Sequence, residues 1–262
     1  MEREKLITRL GKGLMVANLA TVVRVLRRGF RNLPARLGTA FNAIDPLDSS
    51  PDRFLRRIPQ TELQKVVARL SPIVVDERYA CIDGSLPWVD LLTLITIARD
   101  RRPSVMLEIG TFFGHTARLL ALNLPDCVIH TIDLPLTFDQ KTDDGELPKD
   151  DFHLIKGREV GKAFRGAGSL SNIVQHSGDT ATWDFGNAPG ATVFFVDGSH
   201  TYEYARNDTE KCLAAGKGRP GTIMWHDCDG GHRGVIRYLA ELATKGYPVR
   251  RIAGTTLAVM DF

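Results

Sequence analysis

From residue 105 onward, short unbroken apolar runs alternate with amphipathic stretches. VMLEIG (105–110), CVIHTIDL (127–134), SNIVQHSGD (171–179), ATVFFVDGSH (191–200) and TIMWHD (222–227) each hold a run of strand length. Such runs suit strands buried on both faces. Between them, HTARLLALNL (115–124), a stretch within 159–166, YEYARNDTEKCLAAG (202–216) and GVIRYLAELAT (234–244) predict helices. Upstream, Ser85 and Pro87 form a helix-start signal, a hydroxyl cap with proline in the first turn. That helix is predicted over 88–99 and stops before Pro103. The closing YPVRRIAGTTLAVMDF reads as two strands joined by a glycine-containing turn.

Strands separated by helices pair in parallel through right-handed crossovers. The predicted fold is therefore α/β: a doubly wound, mostly parallel seven-stranded sheet, Rossmann-like, with an antiparallel C-terminal strand. A helical N-terminal extension precedes it. Residues 31–60 hold Pro34, Pro46, Pro51 and Pro59 with DSS at 48–50, which is connector composition. The expected division is an extension and linker over 1–75 and a catalytic domain over 76–262.

In the extension, Val16, Leu19, Val23, Leu26 and Phe30 recur at helical spacing, with Arg24, Arg27, Arg28 and Arg31 largely off that stripe. This predicts a basic amphipathic helix that docks on the body or a second copy, or meets an anionic membrane surface as a peripheral contact. The one aromatic among the arginines, Phe30, belongs to the apolar stripe rather than to a stacking platform, so nucleic acid is not an expected partner. Charge is asymmetric: residues 1–36 carry nine Lys/Arg against two Glu, +7 in a chain of net +3, which leaves the rest at −4. The run LMVANLATVV (14–23) is about half the length of a membrane span. Composition, 43% hydrophobic and 25% charged, is that of an ordinary globular protein. Cys81, Cys127, Cys212 and Cys228 have no CxxC spacing, which points away from zinc knuckles and toward a reducing, cytoplasmic setting.

In this topology ligands bind at the carboxyl ends of the strands. The chemically capable residues fall there: Glu108, Gly110 and Gly114 after the first strand, Asp133 after the second, Gly178 and Asp179 after the third, Asp197 and His200 after the fourth, and His226, Asp227 and Asp229 after the fifth. Asp133 lies 19 residues beyond Gly114, where a carboxylate can accept from both ribose hydroxyls of an adenosine. The turn LEIGTFFGHTA (107–117) lacks the middle glycine of a pyrophosphate fingerprint. Glu108 beside it would repel a pyrophosphate and attract an ammonium group. The pattern suits S-adenosylmethionine, which has ribose and adenine but no phosphate. Asp197 and Asp227, on strands about 4.8 Å apart, can share a divalent cation such as magnesium, with Asp229 completing the set. A cation there would activate a substrate hydroxyl, and His200 or His226 can take its proton. Asp197, His200 and His226 are thus the catalytic candidates. An iron site from His226, His200 and Asp197 is an alternative use of the same residues.

LEIGTFFGHTARLLA resembles motif I of class I S-adenosylmethionine-dependent methyltransferases, in the form seen in catechol O-methyltransferase-like enzymes. FFVDGSHTYEYARNDTEKCL and GTIMWHDCDGGHRGV resemble the small-molecule O-methyltransferase branch that includes macrocin-type sugar methyltransferases. The resemblance covers about 85–262. It implies that Glu108, Gly110, Thr111 and Gly114 hold the methionine end, Asp133 the ribose, and Gly178, Asp179 and Thr180 the adenine. It also implies that Asp197 and Asp227 are metal ligands. Where macrocin-type enzymes tend to have an acid beside the second ligand, this chain has Cys228 and then Asp229. The expected reaction is methyl transfer from S-adenosylmethionine to the hydroxyl of a small-molecule acceptor, with divalent-cation assistance. An NAD-dependent oxidoreductase and a non-catalytic S-adenosylmethionine-binding module are the competing readings; the chain lacks an obvious Tyr-x-x-x-Lys set for the former. The polar segment 135–158 is a candidate substrate loop.

Overall fold

The computed structural model describes residues 51–76, 84–135, 159–166 and 170–262. The basic helix expected over 16–30, the connector up to residue 50, Cys81 and the polar segment 136–158 lie outside the described residues. The compact unit runs from Pro51 to Phe262. Its elements in chain order are α1 (Asp52–Leu55), β1 (Gln60–Thr61), α2 (Trp88–Arg101), β2 (Val105–Ile109), α3 (His115–Asn123), β3 (Val128–Asp133), β4 (Ile173–Ser177), β5 (Val193–Val196), α4 (Tyr202–Gly216), β6 (Thr222–Trp225), α5 (Arg233–Thr244), β7 (Arg250–Ile252) and β8 (Ala258–Asp261).

The strands form one sheet in the order β1-β7-β8-β6-β5-β2-β3-β4. β4, β3, β2, β5 and β6 pair in parallel, and β8 runs antiparallel to both β6 and β7. The chain winds outward from β2 through β3 to β4, then returns to place β5 on the other side of β2. That reversal makes the carboxyl ends of β2 and β5 the topological switch point, where this architecture binds ligands.

The unbroken apolar runs follow from helices covering both faces. Leu107, Phe194 and Trp225 point to the face packed by Cys212 of α4 and by Ile236 and Leu239 of α5. Their neighbours Met106, Phe195 and Met224 point to the other face, against Leu91 and Leu94 of α2 and Leu119 and Leu120 of α3. Full burial of side chains of this size is worth about 1.5–3 kcal/mol each. The indole N–H of Trp225 is satisfied by Thr209 Oγ1 at 2.9 Å. Among the described residues, no helix is long and apolar enough to cross a membrane, and Cys127, Cys212 and Cys228 are free and buried.

Three local expectations are corrected. The sheet has eight strands rather than seven, because residues 60–61 add parallel to β7: Arg251 N–H donates to Pro59 O and Ala253 N–H to Thr61 O, both at 2.8 Å. Residues 51–67, assigned to the extension, therefore lie with the sheet; Ile58 is 1% exposed and sits in the core beside Phe54 and Leu55. The helix expected within 159–166 is a single 3-10 turn, Lys162–Phe164, bracketed by Gly161 and Gly166 in left-handed conformation. The Ser85 cap is not made: α2 starts from Pro87 with no side-chain cap bond, and Ser85 lines the cavity described below.

Glu108 is the one charged residue inside β2, and it is fully buried. Thr131 on the paired strand β3 donates to Glu108 Oε2, and Thr131 Oγ1 lies 2.7 Å from Thr111 Oγ1. Oε1 has no hydrogen-bond partner. Burial, reinforced by the nearby Asp197 and Asp133, pushes the carboxyl well above its usual range, against the Thr131 bond.

Two outcomes follow from this packing. Ile58→Ala is expected to cost about 2–5 kcal/mol in denaturant unfolding, the range for a fully buried branched side chain; a cost near zero would return residues 51–60 to the linker. Glu108 retains a proton in the folded state that the unfolded chain releases above about 4.5. Its contribution is thus fully present below that pH and is lost as pH rises toward the folded value. Glu108→Gln is expected to remove that loss, so the stability of the variant relative to the parent rises from pH 4.5 to pH 8. A parallel pair of stability–pH curves would show that Glu108 is ionised in the fold.

Candidate active site

The turn from β2 to α3 is built by close approach. Gly110 has φ 98°, and a Cβ on it would lie 1.9 Å from the carbonyl oxygen of Asp197 at the end of β5. The glycine is required by the backbone of the neighbouring strand at the switch point, not by a phosphate. Phe112 is also left-handed, with φ 47°, a conformation that costs about 1–3 kcal/mol for a bulky residue. Its N–H donates to Asp133 Oδ2 at 2.7 Å, while Leu134 N–H donates to Asp133 Oδ1 at 2.7 Å. The same carboxylate thus pins the turn and is itself aimed by two amides.

The next wall is the loop after β4. Gly178 N–H donates to Asp133 O at 2.9 Å. Asp179 accepts from Ala181 N–H at 2.8 Å and from the Tyr204 hydroxyl at 3.1 Å. Asn207 Nδ2 donates to Thr180 O at 3.1 Å, and Lys211 Nζ to Ala181 O at 2.9 Å, so α4 fastens the loop.

These walls enclose a cavity of about 370 Å³. Of the residues expected at the site, Gly110, Asp133, Gly178, Asp179, Thr180, Asp197, His200, His226 and Asp227 line it. Glu108, Thr111 and Gly114 do not. Glu108 and Thr111 form the polar network beneath its floor. Gly114 starts α3, where a Cβ would lie 2.4 Å from the Phe164 ring. Asp229 is also absent from the lining. Four aspartates and no lysine or arginine line the cavity among the described residues.

Opposite Asp133, the loops after β5 and β6 bring acids and histidines together. His226 Nδ1 lies 3.1 Å from Asp197 Oδ1 and 3.1 Å from Asp227 Oδ1, and its Nε2 lies 3.3 Å from Asp90 Oδ2. His200 Nε2 is 2.7 Å from Asp227 Oδ2, and His232 Nδ1 is 3.2 Å from Asp227 Oδ1. The rings of His200 and His232 pack with centroids 4.4 Å apart. Asp227 has φ 59°, a left-handed backbone at the loop's tightest point. Burial opposes the charged form of His226, but the three carboxylates around it, led by Asp197, outweigh burial and hold its pKa above the usual histidine range. Burial alone would raise Asp227; its bonds to His200 and His226 instead hold it below the usual carboxylate range. Burial raises Asp197.

His200 and His226 both line the cavity, and both ring nitrogens of His226 face carboxylates. Asp229 does not join Asp197 and Asp227. Its Oδ1 accepts from Gly231 N–H at 2.7 Å and His232 N–H at 3.2 Å, and lies 3.0 Å from His232 Nδ1. It shapes the turn into α5. The groups with ligand atoms in mutual reach are Asp197, His226 and Asp227, and His200, Asp227 and His232. The iron arrangement of His226, His200 and Asp197 is not among these groups. Magnesium favours octahedral oxygen donors. Asp197 and Asp227 keep two carboxylates within mutual reach, the number magnesium commonly takes along with water, and imidazole nitrogens rather than Asp229 lie beside them.

Sequence reasoning missed Asp90 and His232. Asp90 is 1% exposed in the first turn of α2, bonded to Thr256 N–H at 3.2 Å and to the Thr256 hydroxyl at 2.7 Å. Its signal was an acid within an otherwise apolar run, WVDLLTLI, which reads equally as a first-turn dipole charge. His232 sits in GGH at the start of α5, where nothing in its spacing sets it apart.

Residues 107–228 match the model of a methyltransferase domain family. No curated protein matches the chain. Among solved structures, the chain is similar to the O-methyltransferase TomG from Streptomyces achromogenes, involved in tomaymycin synthesis, in complex with S-adenosylmethionine. Identity is 18% and the TM-score 0.49, over 78% of this chain and 99% of that one. It is also similar to the S-adenosylhomocysteine-bound methyltransferase PaMTH1 of Podospora anserina, at 15% identity and TM-score 0.48, over 89% of this chain and 96% of that one. The matched segment, 107–228, spans most of β2 to the loop after β6 and holds residues of both halves of the cavity; over it, the chain is similar to the methyltransferase domain family.

Proposed function

We propose that the cavity binds S-adenosylmethionine and that the chain transfers its methyl group to a hydroxyl of a small-molecule acceptor. The observation that carries this reading is the charge of the cavity. Four aspartates, three histidines and no lysine or arginine line it among the described residues; the acidic side facing away from the histidines disfavours a pyrophosphate and favours a cationic ligand with an adenosine part. Asp133, aimed by the amides of Phe112 and Leu134, faces the ribose hydroxyls. Gly178, Asp179 and Thr180 supply the wall for the adenine.

When bound, S-adenosylmethionine supplies a methyl group on a positively charged sulfur. The residues do the rest by position. The loops after β5 and β6 place the acceptor hydroxyl across the cavity from Asp133, and the in-line geometry of the displacement makes alignment a large part of the rate. As the O–C bond forms and the C–S bond breaks, the hydroxyl proton passes to His200. Asp227, 2.7 Å from His200 Nε2, orients that ring and stabilises its charged form. The acidic walls favour the cationic ligand before transfer and hold the neutral product sulfide less tightly.

S-adenosylhomocysteine binding tests the cofactor half directly. Asp133→Asn keeps the size of the side chain but removes the charged acceptor. It is expected to weaken binding by about 10- to 100-fold in calorimetry, the loss of a charge-assisted hydrogen bond, with thermal unfolding as the check that the turn stays folded. Equal affinity in a folded variant would remove Asp133 from the cofactor site.

A further inference from the structure

Helix α4 turns four polar side chains at helical spacing, Tyr204, Asn207, Asp208 and Lys211, toward the loop after β4. Lys211 uses its three ammonium donors on the carbonyls of one turn: Thr180 O, Ala181 O at 2.9 Å and Trp183 O at 3.2 Å. The Phe185 ring centroid lies 5.4 Å from the same nitrogen. Three carbonyl oxygens thus converge on Nζ as they would on a bound cation. Asp208, three residues earlier, is 1% exposed. Its carboxylate takes the Thr180 hydroxyl and Asn207 Nδ2, the latter at 2.8 Å. A Cβ on Gly198 would lie 3.8 Å from Asp208 Oδ2, so this carboxyl stands behind the loops after both β4 and β5. An apolar side chain would fill such a position without the desolvation penalty of a carboxylate. The bonds of this acid instead go to Thr180, which lines the cavity.

We propose that Asp208 and Lys211 are positioning residues for the adenine end of the methyl donor, on the reading that Gly178, Asp179 and Thr180 wall the adenine. Neither side chain lines the cavity; both act through Thr180 and the 179–183 turn. Lys211 gathers the backbone of the turn, and Asp208 sets the Thr180 hydroxyl. The charged and titratable groups around Asp208 are Lys211 and the Cys212 thiol on its own helix and Asp179 on the facing loop. Burial, with a smaller push from Asp179, raises its carboxyl to about 6 against the Thr180 and Asn207 bonds and the Lys211 charge. The ionised form, the one that holds Thr180, is therefore present above that pH and lost as pH falls through it.

The test is calorimetry of the full chain with S-adenosylhomocysteine and with 5′-methylthioadenosine, which lacks the amino acid end. Lys211→Met keeps the stem and removes the charge. It is expected to weaken both ligands by the same factor, about 10-fold, the low end for losing a charge-assisted hydrogen bond. Asp208→Asn is expected to bind more weakly than the parent at about pH 8 and to match it at about pH 5, with the change centred near 6. The ratio of the two affinities is read, so titration of the cavity histidines, common to both proteins, cancels. Parental affinity in a folded Lys211→Met, a loss confined to S-adenosylhomocysteine, or a ratio for Asp208→Asn that does not change with pH would overturn the positioning roles alone. If Lys211→Met does not fold, the pH dependence of Asp208→Asn decides. A parent that binds neither ligand would sink the cofactor reading and these roles with it.

Discussion

Six acidic side chains, Asp90, Glu108, Asp133, Asp179, Asp197 and Asp227, meet at one end of one sheet, and much of the local architecture answers their mutual repulsion. In a site of low dielectric, like charges a few ångströms apart cannot all ionise without compensation. The molecule uses three kinds. Glu108, sealed beneath the floor, is pushed toward its neutral form. Asp133 and Asp179 take backbone amides, two for the first and one with a tyrosine hydroxyl for the second. Asp90, Asp197 and Asp227 share the imidazole of His226. The backbone strain at Phe112 and Asp227 falls at two of these acids, where positioning a carboxylate outweighs the local conformational cost.

This division of labour splits the cavity into two halves that meet at the contact between Gly110 and Asp197. On one side, aspartates steadied by amides are suited to sugar hydroxyls and to a ligand bearing positive charge. On the other, aspartates steadied by imidazoles are suited to moving a proton and to holding an ion. The sheet fixes the distance between the halves because β2 and β5 are directly paired. A reaction in which a group passes from a cationic donor to a hydroxyl across a short gap uses both halves at once.

The sheet and the rim were legible because their causes are local. Runs such as VFFV and TIMW have strand length and are apolar on both faces, and the acids and histidines follow them directly. What was illegible depends on tertiary context. β1 is two polar residues, Gln60 and Thr61, whose only structural signal is the edge of β7. The role of Glu108 was assigned from its charge and from the motif resemblance; its position in β2 puts the carboxyl beneath the floor, outside the cavity lining. Asp229 was grouped with its neighbours by sequence distance, but the GGH turn after it claims its carboxylate. Asp90 comes from α2, more than a hundred residues from His226, and no spacing rule joins them. The methyltransferase motif was readable as a resemblance; the place of His232 beside Asp227 became readable only once the side chains were placed.

The claim on which the rest depends is that this acidic cavity takes an adenosyl cation and refuses a phosphate. Equilibrium binding of S-adenosylmethionine and of NAD to the same preparation, at one ionic strength, measures it most directly. The account predicts saturable S-adenosylmethionine binding at one site per chain and no displacement of it by NAD. NAD binding at that site, or the absence of any binding of S-adenosylmethionine, would contradict it.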